Sequence, residues 1–301
     1  MSKEQRAKID SMLRQAGPQG PRSIEQRRAG FRVMMARAIV PTAIRIAPVT
    51  LASRPALLVE AEPRERARPG TILYFHGGGY VVGSPETALC VTGNLVDKTG
   101  FRAFSLDYRL APEHPFPAAI EDALSAYRAL LDDGVDPASL AFAGDSAGGG
   151  LSISCCLAAR DAQLPLPAAL VTFSPTLDAT FAGESMDTKV GVDPIFTRER
   201  LAELLGMYLA GQNPAQPLLS PAVCADLSGL PPMLLQAGAN EVLLDDATRL
   251  AARARAAGVD VILDITADAP HVFQSYVGLL DEADEALDRA ALFLSQRLRR
   301  R

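Results

Sequence analysis

Two patterns of hydrophobic positions succeed each other along the 301-residue chain. Up to about residue 40, apolar side chains recur three and four apart: Ile9, Met12 and Leu13, then Ile24, Phe31, Met34, Met35 and Ile39. A helix completes a turn every 3.6 residues, so each set falls on one face. Helices are predicted over roughly 3–15 and 23–39, parted by the breaker Gly17-Pro18-Gln19-Gly20-Pro21. After Pro41 the pattern changes. Short β-rich runs at 56–60, 71–75, 101–107, 140–143, 168–173, 232–236 and 259–265 alternate with helical stretches at 118–131, 147–161, 243–257 and 282–298.

Strands such as ILYF and LVTF are apolar throughout instead of alternating. That is the signature of a mostly parallel sheet covered by helices on both faces, an α/β class. Ligand sites in such sheets lie at the carboxyl ends of the strands. Between about 175 and 221 the alternation lapses into a stretch with its own helix, near 197–209. An insertion there is placed to cap a pocket over the sheet's carboxyl edge, with residues 41–301 forming the main domain.

Composition changes this picture little. Hydrophobic residues at 48% and charged ones at 22% belong to a globular chain. A net charge of −5 offers no general footprint for nucleic acid. The closing Arg297, Arg299, Arg300 and Arg301 suit a solvated helix end, where cations complement the dipole. The first ten residues are charged and show no apolar signal core, and the uncharged stretches 69–85 and 162–177 are short and broken by Gly or Pro. A cytoplasmic protein without a membrane span is expected. Four cysteines without paired spacing, Cys90, Cys155, Cys156 and Cys224, read as small apolar residues, not as a disulfide framework or zinc site.

Candidate chemistry is narrowed by there being only three histidines, His76, His114 and His271. Gly144-Asp145-Ser146-Ala147-Gly148 follows the strand LAFA and opens a helical run. A serine on such a sharp turn presents its Oγ above the sheet, beside the free N–H groups of a helix start. A phosphate loop is excluded because Gly150 and Leu151 stand where Lys and Ser or Thr are required. His76-Gly77-Gly78-Gly79-Tyr80 also follows a strand directly, and consecutive glycines let N–H groups converge on one oxyanion together with that of Ala147.

A serine needs a base and the base an orienting acid. His76 belongs to the glycine turn and His114 to the proline-rich stretch APEHPFP, which leaves His271, on a loop after the last strand. The acid must lie between the serine and that histidine, just past a strand. Glu241, Asp245 and Asp246 follow the strand PMLLQ; Glu241 is nearest its end, whereas the aspartates fall in the first turns of the next helix and suit its dipole.

These segments together resemble the hormone-sensitive-lipase-like branch of the α/β-hydrolases, a family of carboxylic ester hydrolases. The matching pieces are HGGGY at 76–80, DYRLAPEHPFPAAIEDA at 107–123, GDSAGG at 144–149, SGLPPMLLQAGANEVLLDDA at 228–247 and HVF at 271–273. The resemblance implies an α/β-hydrolase fold with Ser146 as nucleophile, His271 as base and Glu241 as acid, where many relatives carry aspartate. It further implies an oxyanion hole from Gly77, Gly78, Gly79 and Ala147, a cap from residues 1–40 plus the region after Ser174, and a supporting role for 107–117. The stretch ITADAP before His271 lacks an aromatic often found there. Expected substrates are small, uncharged esters with short or medium acyl chains, cleaved through an acyl-enzyme without metal or organic cofactor. Homodimers are also implied. Amidase or deacetylase, lactonase and acyltransferase activities would use the same three residues. A non-catalytic ligand-binding protein on this fold, like the plant gibberellin receptor, would lack a complete set.

Overall fold

The structure, a computed structural model, describes residues 3–15 and 22–298; the breaker at 17–21 and the arginines at 299–301 lie outside the described residues. In chain order its elements are α1 (Lys3–Gln15), α2 (Ile24–Met35), β1 (Ile44–Leu51), β2 (Arg54–Ala61), β3 (Thr71–Phe75), α3 (Leu89–Thr99), β4 (Arg102–Leu106), α4 (Ala118–Asp132) and β5 (Leu140–Asp145). There follow α5 (Ala147–Asp161), β6 (Ala169–Phe173), α6 (Ser185–Thr188), α7 (Arg198–Leu209), α8 (Pro221–Cys224), β7 (Met233–Gly238), α9 (Leu244–Ala256), β8 (Val261–Thr266) and α10 (Asp281–Arg297). Short 3-10 turns lie between some of them.

The strands form one eight-stranded sheet in the order β1-β2-β4-β3-β5-β6-β7-β8. β1 and β2 pair antiparallel, as do β2 and β4, and every later pairing is parallel. The strand periodicity of two divides the interior. Leu73 and Phe75 of β3 join the core formed with α4, α5 and α9 through residues such as Tyr127, Ile153 and Leu250. Ile72 and Tyr74 join the opposite core, formed with α3 and α10 through Leu95, Val96, Leu287 and Leu294. Both faces of the central strands are covered, which is why they carry no polar alternation.

Besides the one-turn helices α6 and α8, two longer elements fall outside the sequence expectations. β1 contains Pro48 and buries only its end residues Ile44 and Leu51, so its hydrophobic pattern is weak; it is tolerated because it is an edge strand. α3 is the opposite case. Eight of its eleven residues are buried, leaving no polar face to mark a helical period. The other strands move by a few residues at their ends. α2 ends at Met35, short of the expected 39; its start is fixed by a capping box in which Ser23 Oγ accepts from the Gln26 N–H and Gln26 answers the Ser23 N–H.

The segment 175–221 contributes α6, α7 and α8 beyond the carboxyl end of β6. It is fastened mainly to the start of α9. Asp246 accepts from the N–H groups of Leu177 (2.6 Å) and Asp178 (2.9 Å), Asp245 accepts from that of Ser185 (2.8 Å), and Arg249 pairs with Asp178 (2.6 Å). The N-terminal helices meet the same segment: Arg14 donates to the carbonyl of Val192 (2.9 Å) and Arg27 pairs with Glu203. Arg28 ties α2 to the carbonyls of Val81 and Ala111. Cys90, Cys155 and Cys156 are buried free thiols and Cys224 is half-buried. Among the described residues no helix is long and apolar enough to cross a membrane.

Candidate active site

Ser146 sits between β5 and α5 with φ 53° and ψ −120°, a conformation L-residues rarely adopt. Its backbone is held from three sides. Its N–H donates to the Phe173 carbonyl (2.8 Å), and its own carbonyl accepts from Gly150 (3.1 Å) and Thr176 (3.0 Å). The flanking glycines are required by crowding: a Cβ on Gly148 would lie 1.9 Å from the Phe75 carbonyl oxygen, and one on Gly144 2.3 Å from that of Gly148.

His271 lies between the serine and an acid. Its Nε2 is 2.9 Å from Ser146 Oγ and its Nδ1 is 2.7 Å from Glu241 Oε2. A carboxylate at Nδ1 keeps the proton there and leaves Nε2 to accept from the hydroxyl. Glu241 is fully buried, and its other oxygen accepts from Ser174 Oγ (2.7 Å) and from the Gly238 N–H. Ser174 in turn accepts from the Val272 N–H (2.9 Å), so one hydroxyl fixes both the acid and the histidine loop. Burial favours the neutral imidazole, but the Glu241 hydrogen bond and the negative charges of Glu241, Asp193 and Asp145 outweigh it and raise the His271 pKa above its ordinary value.

The other two histidines stand apart from this chain of hydrogen bonds. His76 is fully buried, its Nδ1 2.7 Å from the Gly77 carbonyl and its ring stacked on Tyr108 at 4.2 Å. Burial lowers its pKa to about 4. His114 is exposed, on a loop that turns back through its N–H to the Leu110 carbonyl. Tyr108 Oη, from the tract expected to support the glycine loop, donates to the His76 carbonyl (2.7 Å).

In the glycine turn, Gly78 has φ 120° and Gly79 φ 63°. A Cβ on Gly78 would lie 2.1 Å from the Val82 carbonyl oxygen. Among the described residues the N–H groups of Gly78, Gly79 and Ala147 donate to no backbone carbonyl of the surrounding turns and loops. Gly77 differs from its neighbours, because its N–H serves the buried carboxyl of Asp145. That carboxyl also accepts from Tyr74 Oη (2.8 Å); burial raises its pKa to about 6 against these bonds.

Of the three acids singled out in the sequence, the structure brings only Glu241 to the histidine. Asp245 and Asp246 hold the 175–221 segment by its N–H groups. Ser174, Asp193 and Phe196 were not foreseen. Asp193 accepts from the N–H groups of Ile195 (2.7 Å), Phe196 (2.9 Å) and Val242 (2.9 Å), and so joins the overlying segment to the residue after Glu241. Phe196 meets the His271 ring edge-on, at 5.0 Å and 84°. Only Ser174 carried a signal, its position directly after a strand. Among the described residues no group of three His, Cys, Asp or Glu is placed to hold a metal ion.

Residues 72–275 match the family described as having the alpha/beta hydrolase fold. An acetyl-hydrolase of Streptomyces hygroscopicus is 43% identical over 224 residues, covering 74% of this chain and 75% of that protein. A carboxylesterase of Mycobacterium tuberculosis, NlhH, is 33% identical over 235 residues, 75% of this chain and 73% of its own. The crystal structure of an esterase from the bacterial hormone-sensitive lipase family superposes with a TM-score of 0.94 at 39% identity, covering 99% of this chain and 100% of the other.

Proposed function

Since the chain belongs to the α/β-hydrolase fold family, in its hormone-sensitive-lipase-like branch, and is a carboxylesterase, we propose that it cleaves small esters through Ser146, His271 and Glu241. The observation that carries this reading is His271 bridging Ser146 Oγ and Glu241 at 2.9 and 2.7 Å. Ser146 Oγ attacks the ester carbonyl carbon while His271 Nε2 takes its proton, and Glu241 steadies the resulting imidazolium. The carbonyl oxygen, now an anion, is received by the N–H groups of Gly78, Gly79 and Ala147, at the positive end of α5. Gly77 shapes the turn and anchors it to Asp145. Collapse of the tetrahedral centre releases the alcohol, which carries away the proton from His271. Water then attacks the acyl-serine by the same route and frees the acid.

The small acyl preference is supported by the space beside the nucleophile. Gly79, Tyr80, Thr176, Phe181, Phe196, Leu201, Leu204 and Leu205 close in on Ser146 and leave a chamber of only about 20 Å³, so these side chains must give way even for a short acyl group and more so for a long one. The segment 175–221 and α2 would serve as the cap over it. Treatment with an organophosphate is expected to place a single adduct on Ser146, found by mass spectrometry of the digested protein. Ser146→Ala should lose the label and about 10⁴-fold or more of the hydrolysis rate. Full activity in that variant would overturn the assignment.

A further inference from the structure

A second, larger space adjoins the nucleophile's chamber. It measures about 680 Å³, lies between α2 and α7, and shares Phe196 and Leu204 with the inner chamber as a common wall. Its lining is apolar at Phe31, Val33, Met34 and Leu204 but carries four guanidinium groups, Arg22, Arg27, Arg37 and Arg200, against one carboxylate, Glu203. Glu203 is taken by Arg27, and Arg200 donates to the Ile195 carbonyl at 2.7 Å. Neither Arg22 nor Arg37 has a carboxylate partner among the described residues.

This concentration of positive charge runs against the balance of the whole chain, whose net charge is −5. A neutral ester would fill the apolar wall and leave both guanidinium groups answered only by water. A carboxylate reaching the rim would meet a planar fork of donors that matches its two oxygens. Arg22 and Arg37 are both exposed, so their attraction for a carboxylate is open to screening by salt.

Resting on the esterase reading, we propose that the preferred substrates are esters of a short acyl group with an alcohol that ends in a carboxylate. The acyl group sits at Ser146, the aliphatic part of the alcohol passes beside Phe196 and Leu204 into the outer cavity, and the carboxylate is met at the rim by Arg22 and Arg37. This replaces the uncharged ester expected from family resemblance by an anionic one. The exposed Val33 and Met34 then act as the apolar side of the entry path.

The test compares acetate release from ω-acetoxy carboxylates of four, six and eight carbons with release from the matching primary amides, which have the same length and no charge. At low ionic strength the best carboxylate is expected to exceed its amide in kcat/KM by about ten-fold, with the gap shrinking as salt is added. In the Arg22→Gln/Arg37→Gln double variant the ratio should fall below about two. A wild-type ratio at or below one, with the amides still hydrolysed, would overturn the anionic preference and leave the esterase reading standing. Failure to hydrolyse either series, or hydrolysis that survives Ser146→Ala, would instead overturn the esterase reading itself.

Discussion

The floor and the roof of the site are built by different means. The floor, formed by the turn after β3 and the β5–α5 junction, is made of backbone: N–H groups, positive φ angles and glycines with no space for a Cβ. The proposed roof, residues 175–221, is held by side-chain carboxylates that accept N–H groups from an otherwise irregular chain, the buried Asp178, Asp193 and Asp246 and the half-buried Asp245. A backbone-built surface has few alternative arrangements, because a change of one angle moves a main-chain donor. A carboxylate-held segment depends on a handful of separate bonds, any of which can be removed alone. On the proposed function, the floor serves the reacting atoms and the roof adjusts what reaches them.

Glu241 and Asp245, four residues apart, test this division most severely. Glu241→Gln keeps the shape but places a donor or a neutral oxygen at His271 Nδ1, and is expected to lower kcat about 10³- to 10⁴-fold. Asp245→Asn, which loosens the Ser185 anchor and the bond from Thr248 Oγ1, should change kcat by no more than several-fold in the same steady-state assay. Next in size is Gly78→Ala. With φ 120° and a backbone oxygen 2.1 Å from the new carbon, the turn must shift, and loss of aligned oxyanion donors should cost about 10²- to 10³-fold in kcat.

Asp193→Asn gives a smaller effect than Glu241→Gln or Gly78→Ala, and the most specific one. Floor geometry is untouched, so turnover at the optimum should fall only about ten-fold. The pH profile separates this from loose packing. On the proposed mechanism hydrolysis requires neutral His271, so kcat/KM should rise as pH climbs through a pKa above the ordinary imidazole value. Removing the negative charge of Asp193, while Glu241 and Asp145 remain, makes the imidazolium less favourable and lowers that pKa. The acid limb of the profile should therefore move to lower pH. An unshifted limb would confine Asp193 to holding the segment.

What could be read in the sequence follows the same division. Steric demands leave a residue pattern, so the glycine turn and the elbow around Ser146 were legible, and chain order then selected His271. Proximity to a strand end favoured Glu241, yet Asp245 and Asp246 stayed open because an acid at a helix start has an ordinary use. The structure gives those two a different one, as anchors of a distant segment. Asp193 and Phe196 were hidden because their partners, Val242 and His271, lie far away in the chain and no local pattern links them. In the fold the same reasoning applies: α3 is buried nearly all round, and β1 shows too few buried positions for its period to register.

The φ of 53° at Ser146 sets thermal endurance against chemistry at a single residue. A non-glycine residue held in so sparsely populated a region stores strain on the order of 1–3 kcal/mol, which the bonds to Phe173, Gly150 and Thr176 must hold in place. Glycine would occupy the same turn with less strain and no hydroxyl. On the proposed mechanism, relieving the strain with glycine would therefore remove the nucleophile along with it.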